Sequence, residues 1–350
     1  MSADIHIRTE GRAGRITLTR PGSLNALSWE MCLEIEAALE AWRDDDAVAV
    51  VLIDAEGDRA FCAGGDVQQL YETGRAGDYA FGRRFWSDEY RLNAKIAAYP
   101  KPYVALMQGY VMGGGVGISC HGSTCIVCDS TRIAMPECSI CLVPDVGGSL
   151  LLARAPGRLG EYLGTTGARM GPGDAIHCGF ADIHVPQADW DALTARLLET
   201  GDAGVIAPFA ARPPDGALSG LAARIDAHFS AGALRDIIDS LRADDSDFAR
   251  DALAAMQRNS PLSMACAIAM LRRLRDDEAD IRGALGLEYR FTHRAMAQGD
   301  FLEGVRAAII DKDRTPAWRH DLDGLPEDAV TAMLAPLDAD ALSFKEETAT

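Results

Sequence analysis

The chain has 350 residues, 48% of them apolar and 25% charged, the balance of an ordinary globular protein with room for one large domain and a smaller one. Its net charge of -18, with no dense Lys/Arg cluster, argues against duplex nucleic acid and against an anionic membrane surface as partners. The N-terminus lacks an apolar signal core, and the purest apolar run, AVAVVLI at 47–53, is too short to cross a bilayer. Nine cysteines in such a chain read as reduced cytoplasmic thiols rather than a disulfide framework.

Residues 4–9 and 15–19 alternate like two strands joined by a glycine-containing turn. Ser28 suits the N-cap of a helix over 29–43, with Met31, Leu33, Ile35, Ala38, Leu39 and Trp42 as its apolar positions. Residues 48–54 read as a buried strand, 67–99 as helix broken near 74–78, and 102–108 as a second buried strand. An apolar helical stretch through 118–122, a strand over 124–129, and helices near 149–155 and 158–166 follow. Strands alternating with helices to about residue 190 make this an α/β domain. The Pro-rich stretch 206–218 reads as a connector, dividing the chain into a core, 1–205, and a mainly helical region, 206–350. Ser260-Pro261 opens a helix with a serine cap and proline at its first position; Leu262, Cys266, Met270, Leu271 and Leu274 are among its apolar residues. Asp300 with Glu303 resembles a capping box for a helix running through Ile309, and the tail SFKEETAT is expected to fray.

Three stretches carry the chemistry. AFCAGGD (60–66) and GYVMGGGVG (109–117) are glycine clusters that follow buried strands. Glycine permits close backbone approach, and two N–H groups converging on one point form an oxyanion hole. A glycine cluster by itself is more often plain turn chemistry. Neither cluster is a dinucleotide or nucleoside-triphosphate fingerprint. The third stretch, RIAMPECSICLVPDVGG (132–148), sets Glu137 and Asp145 each behind a proline, which stiffens the turn that carries it. Two carboxyls held close in a partly dry site can divide into a base or nucleophile and an acid, although an arbitrary pair of acids is usually just solvated. Pro144 excludes one unbroken helix through the pair, so spacing alone does not fix their relation.

In this order and spacing, AFCAGGD, GYVMGGGVG and MPE (135–137) resemble the crotonase, or enoyl-CoA hydratase/isomerase, superfamily. The resemblance implies a ββα superhelix with a C-terminal helical region, and an acyl-CoA thioester as partner. It further implies an oxyanion hole made by the backbone N–H groups of Gly65 and Gly114. Hydratases of the superfamily have a second acid at the position of Gly117 and tend to have glycine at that of Asp145. The chain therefore looks closer to the superfamily's hydrolases of 3-hydroxyisobutyryl-CoA, which serve valine breakdown. The segments KPYVALMQGYVMGGGVGIS (101–119) and GDFLEGVRAAIIDKDRTPAW (299–318) support that likeness. On this reading Glu137 is the nucleophile or general base, and Asp145 places water, donates a proton or binds the 3-hydroxyl. Glu89 matches a substrate-contacting acid, so that Glu89, Gly114, Glu137 and Asp145 line the substrate. No metal or organic cofactor is required, CoA being part of the substrate. A homo-oligomer, trimer or hexamer, is expected from the relatives.

Other readings compete. Cys125-x2-Cys128 and Cys138-x2-Cys141 have the spacing of a four-cysteine zinc site, but the first pair lies in a strand-like run that lacks the usual turn, which favours buried thiols. Cys62 has no identifiable base beside it. Ser119 and His121 invite a Ser–His pairing without the nucleophile elbow, and neither His177 nor His184 receives a role. Hydration or isomerisation of another acyl-CoA, dehydration by a single acid, and a non-catalytic acyl-CoA-binding protein are the alternative functions.

Overall fold

Two sheets organise the chain in a computed structural model that describes residues 3–344. The larger has six strands in the order β1 (Ile5–Glu10), β2 (Ala13–Leu18), β3 (Val50–Ala55), β5 (Tyr103–Met107), β7 (Thr124–Val127) and β9 (Ile183–His184). Only the β1–β2 pairing is antiparallel. The smaller sheet has three parallel strands, β4 (Ala60–Cys62), β6 (Tyr110–Met112) and β8 (Arg132–Ala134). Each short strand closely follows a long one, so the unit β3–β4, β5–β6, β7–β8 repeats through the core. This is the ββα arrangement of the superfamily. Sequence pattern did not find the small sheet, because three residues are too few to show an alternation, and it also missed the two-residue β9.

The apolar runs are continuous because the long strands are covered on both faces. Val51, Ile53, Ala105 and Val127 join the main core, while Val50, Leu52, Val104, Leu106 and Ile126 face a second core. That second core is closed by Trp190, Leu193 and Leu197.

Helix α1 (Trp29–Arg43) starts at Ser28, whose hydroxyl accepts from the N–H of Met31 as expected. Cys32 is buried on it, whereas Leu33 is exposed. The break in the next helical stretch separates α2 (Val67–Arg75) from α3 (Tyr79–Ala97), and α4 (Gly114–Ser119) is short. Helices α5 (Gly148–Arg154), α6 (Leu159–Thr166), α7 (Pro172–His177) and α8 (Trp190–Thr200) complete the first part. The Pro-rich connector is partly ordered: Ala203–Phe209 forms a 3-10 turn with Ile206 buried, and Ala211 bridges to His184. Then come α9 (Leu218–Phe229), α10 (Leu234–Arg242), α11 (Asp247–Met256), α12 (Pro261–Asp276), α13 (Ile281–Gln298), α14 (Phe301–Val305) and α15 (Glu327–Leu334).

Ser260 caps α12 through the N–H of Ser263. The expected capping box at Asp300 is absent. Asp300 instead accepts from the N–H of Arg319, and Glu303 is taken by Arg306 and the N–H of Ala317. After α14 the chain widens into a π-helical turn, Arg306–Ile310. Of the tail expected to fray, residues 345–350 lie outside the described residues.

One hydrophobic cluster runs from Ile5 to Met333, so the C-terminal helices share the core of the sheet. A buried ion pair fastens α6 to α12. Glu161, fully buried, accepts from Arg275 at 2.8 and 3.2 Å and from Arg158 at 3.0 Å. Despite the cost of burial, these arginines, Arg275 foremost, hold its carboxyl below the usual range. Its stabilisation is therefore present above the unfolded carboxyl pKa and lost as pH falls through the lower folded one. Glu161→Gln is expected to destabilise the protein by about 3 kcal/mol, because it leaves part of a buried charge pair uncompensated. Urea unfolding at neutral pH measures this, and the difference from wild type should shrink in acid.

Candidate active site

The small sheet explains why three distant motifs meet. Its strands are parallel, with a one-residue register shift between Ala60 and Cys62, and they place Cys62 beside Val111, Val111 beside Ile133, and Met112 beside Ala134. The residues just past each C-terminal end are Gly64-Gly65, Gly113-Gly114 and Pro136-Glu137. Carboxyl ends of parallel strands are where open α/β folds bind ligands. A cavity of about 470 Å³ opens there, lined by Gly65, Gly114, Glu89, Glu137 and Asp145 among others. All five residues expected from the sequence thus face one space.

The two backbone donors are available. The N–H of Leu27 donates to Gly64 O, and the N–H of Asp66 donates to Leu27 O. This pairing passes over Gly65 and leaves its N–H outside the ladder. Gly114 is the first residue of α4, where an N–H has no acceptor within the helix. A Cβ on Gly114 would lie 3.4 Å from the nitrogen of Gly65, so the two donors are close neighbours. Gly113 before it takes φ 47 and ψ -120, which only glycine adopts without strain. A Cβ there would come within 2.9 Å of Glu137 Oε1.

Glu137 opens a 3-10 turn, Glu137–Ile140, capped by Pro136. It is 6% exposed, and its Oε2 has no hydrogen-bond partner. Burial foremost, then the charge of Asp145, pushes its carboxyl well above the ordinary range, and Glu288 and Glu89 add to the rise. Asp145 is buried too. Burial lifts it to about 6, against a hydrogen bond from the Tyr90 hydroxyl, 2.6 Å from its Oδ2. Glu89, on α3, is pushed up by burial and by the charges of Asp145 and Glu288, and its Oε1 is unpartnered. Both members of the Glu137–Asp145 pair are thus raised, and the cluster holds weakly solvated carboxyls able to take or give protons.

Several contributors escaped the sequence reading. Tyr90 holds Asp145, and Thr292 of α13 lies 3.4 Å from the same hydroxyl. Glu288 accepts from Gly147 and Ser149 just beyond Asp145. Asn93 is fully buried with both side-chain polar atoms unpartnered. The available signal was the stripe: Glu89 and Asn93 share the apolar face of α3 with Phe85, Trp86 and Ile96, and Glu288 shares that of α13 with Leu285, Phe291 and Ala295. Polar residues on a buried stripe are unusual.

Position 117 is closed. A Cβ on Gly117 would lie 2.7 Å from Asn93 Nδ2 and 2.8 Å from Val146 Cβ, so no acidic side chain fits. The His121 Nε2–H donates to Val146 O, 2.8 Å away, and burial pulls the imidazole down to about 4, so it is neutral. Ser119 does not pair with it; its hydroxyl donates to Gly115 O at 2.6 Å. Burial lifts Cys62 to about 12. Cys125 donates to Ser119 O, whereas Cys141 accepts from Ser260 and the N–H of Asp300. Among the described residues, no group of three or more potential ligands forms a metal site.

Removing the Tyr90 donor deprives the ionised Asp145 of its hydrogen bond, so its pKa must rise from about 6. Tyr90→Phe is expected to move the Asp145 limb of the pH profile of kcat/KM to higher pH; an unchanged profile counts against the contact. In Gly113→Ala, strain at φ 47 and pressure on Glu137 Oε1 are expected to lower kcat about 100-fold, in steady-state assays on folded protein.

Comparison with known proteins places the chain in a family. The family model for enoyl-CoA hydratase/isomerase matches residues 13–334. The mitochondrial 3-hydroxyisobutyryl-CoA hydrolase of Gallus gallus is 36% identical over 330 residues, covering 91% of this chain and 85% of that protein. Its Rattus norvegicus counterpart is 36% identical over 355 residues, covering 98% and 91%. Among solved structures, an enoyl-CoA hydratase from Rhodobacter sphaeroides 2.4.1 superposes with a TM-score of 0.94 at 55% identity, covering 98% of this chain and 100% of that one. A carnitinyl-CoA dehydratase from Mycobacterium thermoresistibile gives a TM-score of 0.93 at 40% identity, covering 99% and 100%. With three glycine and acid motifs gathered at one sheet end and a family match over most of its length, the chain belongs to the enoyl-CoA hydratase/isomerase family of the crotonase superfamily.

Proposed function

We propose that the protein hydrolyses the thioester of 3-hydroxyisobutyryl-CoA, releasing the 3-hydroxy acid and CoA, in valine catabolism. The observation that carries this reading is the pairing of Glu137 with Asp145 in a cavity where position 117 has no room for a second hydratase acid. The names of the curated relatives point the same way. The solved relatives named as a hydratase and a dehydratase keep hydration or dehydration as the second reading.

In the proposed mechanism the thioester oxygen sits between the N–H groups of Gly65 and Gly114. Each such donor is worth about 3–4 kcal/mol of barrier. Glu137, ionised, either attacks the carbonyl carbon to give a mixed anhydride or takes a proton from an attacking water. Asp145, protonated in the reactive form, passes its proton to the departing CoA sulfur as the C–S bond breaks. On the anhydride route, water then attacks, Asp145 accepts its proton, and Glu137 is released. Glu89 contacts the substrate hydroxyl. The 3-hydroxypropionyl ester lacks one methyl, which is worth only about 1–3 kcal/mol, so it is expected to react as well.

The chemistry calls for no metal or organic cofactor. Nine buried free thiols suit a reducing compartment, and the cytoplasm is our reading of it. No helix among the described residues is long and apolar enough to cross a membrane. A trimer or hexamer is proposed from the family likeness and is checked by light scattering.

Purified protein given (S)-3-hydroxyisobutyryl-CoA is expected to release free thiol, with negligible hydration of crotonyl-CoA. Glu137→Gln and Asp145→Asn are expected to lower thiol release by about 10²–10⁴-fold. Glu137→Gln should still bind the CoA ester, which separates an enzyme from a binding protein. Hydration without thiol release would overturn the hydrolase reading.

A further inference from the structure

Glu288 is the buried carboxyl that the chemistry above leaves without a task. It sits on α13 with no exposed surface. Its Oε2 accepts from the N–H of Gly147 at 2.9 Å; its Oε1 accepts from the N–H of Ser149 at 3.2 Å and from the Ser149 hydroxyl. Among the described residues no lysine or arginine pairs with it. An apolar side chain would serve the fold at lower cost, since burying an unpaired carboxylate is expensive.

What it grips is the turn that carries Asp145. Val146 has φ 53 and Gly147 has φ 78, two left-handed residues in a row. A β-branched residue in that region costs on the order of 1–3 kcal/mol and persists only where its surroundings enforce it. Three contacts enforce it here. Glu288 holds the N–H of Gly147, His121 holds Val146 O at 2.8 Å, and the N–H of Gly148 donates to Asp145 O at 2.7 Å. One turn along α13, Thr292 lies 3.4 Å from the Tyr90 hydroxyl that binds the Asp145 carboxylate. Helix α13 therefore reaches Asp145 twice, through its following backbone and through its side-chain partner.

We propose that Glu288 is a positioning residue, which locks the Val146–Gly147 turn in its left-handed form and, with Thr292 on the same helix, aims Asp145 at the substrate. The proposal rests on the reading of Glu137 and Asp145 as the working acid pair. The titratable groups facing Glu288 are Glu89 and Tyr90 from α3, His121 from the segment after α4, and Glu137 and Asp145 from the loop before α5. Two of these carboxyls, Glu137 and Glu89, are raised by the Glu288 charge. His121 is neutral, and the charge on Glu288 is met by hydrogen bonds alone. Burial, against the Ser149 and Gly147 donors, lifts the Glu288 carboxyl itself to about 8. Its charge therefore acts on Glu137 only as it ionises through that range, and removing it takes away a pH dependence that a purely structural side chain would leave in place.

The test is Glu288→Gln, which keeps the shape and one amide oxygen as acceptor. Its kcat is expected to fall about 10- to 100-fold with KM within about 3-fold, the signature of a misplaced catalytic group. The alkaline side of its pH–rate profile is expected to change, because the group that ionises near 8 is gone. A loss of activity with an unchanged alkaline side, or one that only tracks the folded fraction measured by circular dichroism, overturns the proposal. Should Glu288→Gln fail to fold, Ser149→Ala removes one donor from Glu288 and is expected to lower kcat several-fold and to move the alkaline limb to higher pH; wild-type behaviour in Ser149→Ala overturns it. If the wild type releases no thiol, the thioesterase reading fails by itself. The positioning claim is then decided by a crystal structure of Glu288→Gln and by carbon-13 titration of the Asp145 carboxyl. Val146 leaving the left-handed region and a moved Asp145 titration support it, and an unchanged turn and titration refute it.

Discussion

Four carboxyl groups, Glu89, Glu137, Asp145 and Glu288, are held out of water near one another, and among the described residues no cation pairs with them: Asp145 and Glu288 are met by hydrogen-bond donors, while Glu89 Oε1 and Glu137 Oε2 have no partner. Much of the architecture follows from that constraint. A lysine or arginine in the cluster would pin the acids in their ionised forms. The Tyr90 hydroxyl, the Ser149 hydroxyl and backbone N–H groups instead leave their proton affinity high, within reach of neutral pH. Where the protein needs a carboxylate only as a fastener, at Glu161, it does the opposite and surrounds it with Arg275 and Arg158. The same side chain thus serves as fastener or reagent according to what faces it.

The glycines are the second half of the arrangement. Gly114 and Gly117 lie three apart on α4, against Glu89 and Asn93, four apart on α3. One glycine leaves room beside Glu89 Oε1 and the nitrogen of Gly65. The other is filled by the Asn93 amide and Val146, which occupy the space a second acid would need. Selection of reaction type within this fold is therefore partly a matter of volume: the residue that replaces the acid at 117 also clears the way for a bulkier turn after Asp145.

The parts legible in the sequence were those forced by backbone geometry or by strong periodicity. Glycines that must admit a ligand, prolines before two acids, and the Ser28 and Ser260 caps all leave local marks. The three-residue strands β4, β6 and β8 leave none, so the motifs were recognisable while the reason they converge was not. Tyr90, Thr292 and Glu288 were missed for a related cause, since their partners lie 55 to 202 positions away. A glutamate on a helix reads as solvated unless its place on the apolar stripe is weighed. The Asp300–Glu303 pair shows the reverse error. It has the spacing of a local cap, but Arg319 and Arg306 compete for both side chains and win.

The reach of α13 into the Asp145 turn bears on how the protein comes into being. Gly65, Gly114 and both acids are part of the growing chain once about 150 residues are made, and domains tend to fold as they emerge. The strained turn, however, lacks the hold on its Gly147 N–H until the helix bearing Glu288 arrives, and the cavity wall at Ala308 and Ile309 comes later still. A nascent or truncated chain can therefore have its sheet and its reactive groups without the geometry that makes them work together. Placing the fastener near the end of translation keeps reactive chemistry away from CoA esters until the whole chain has closed around it.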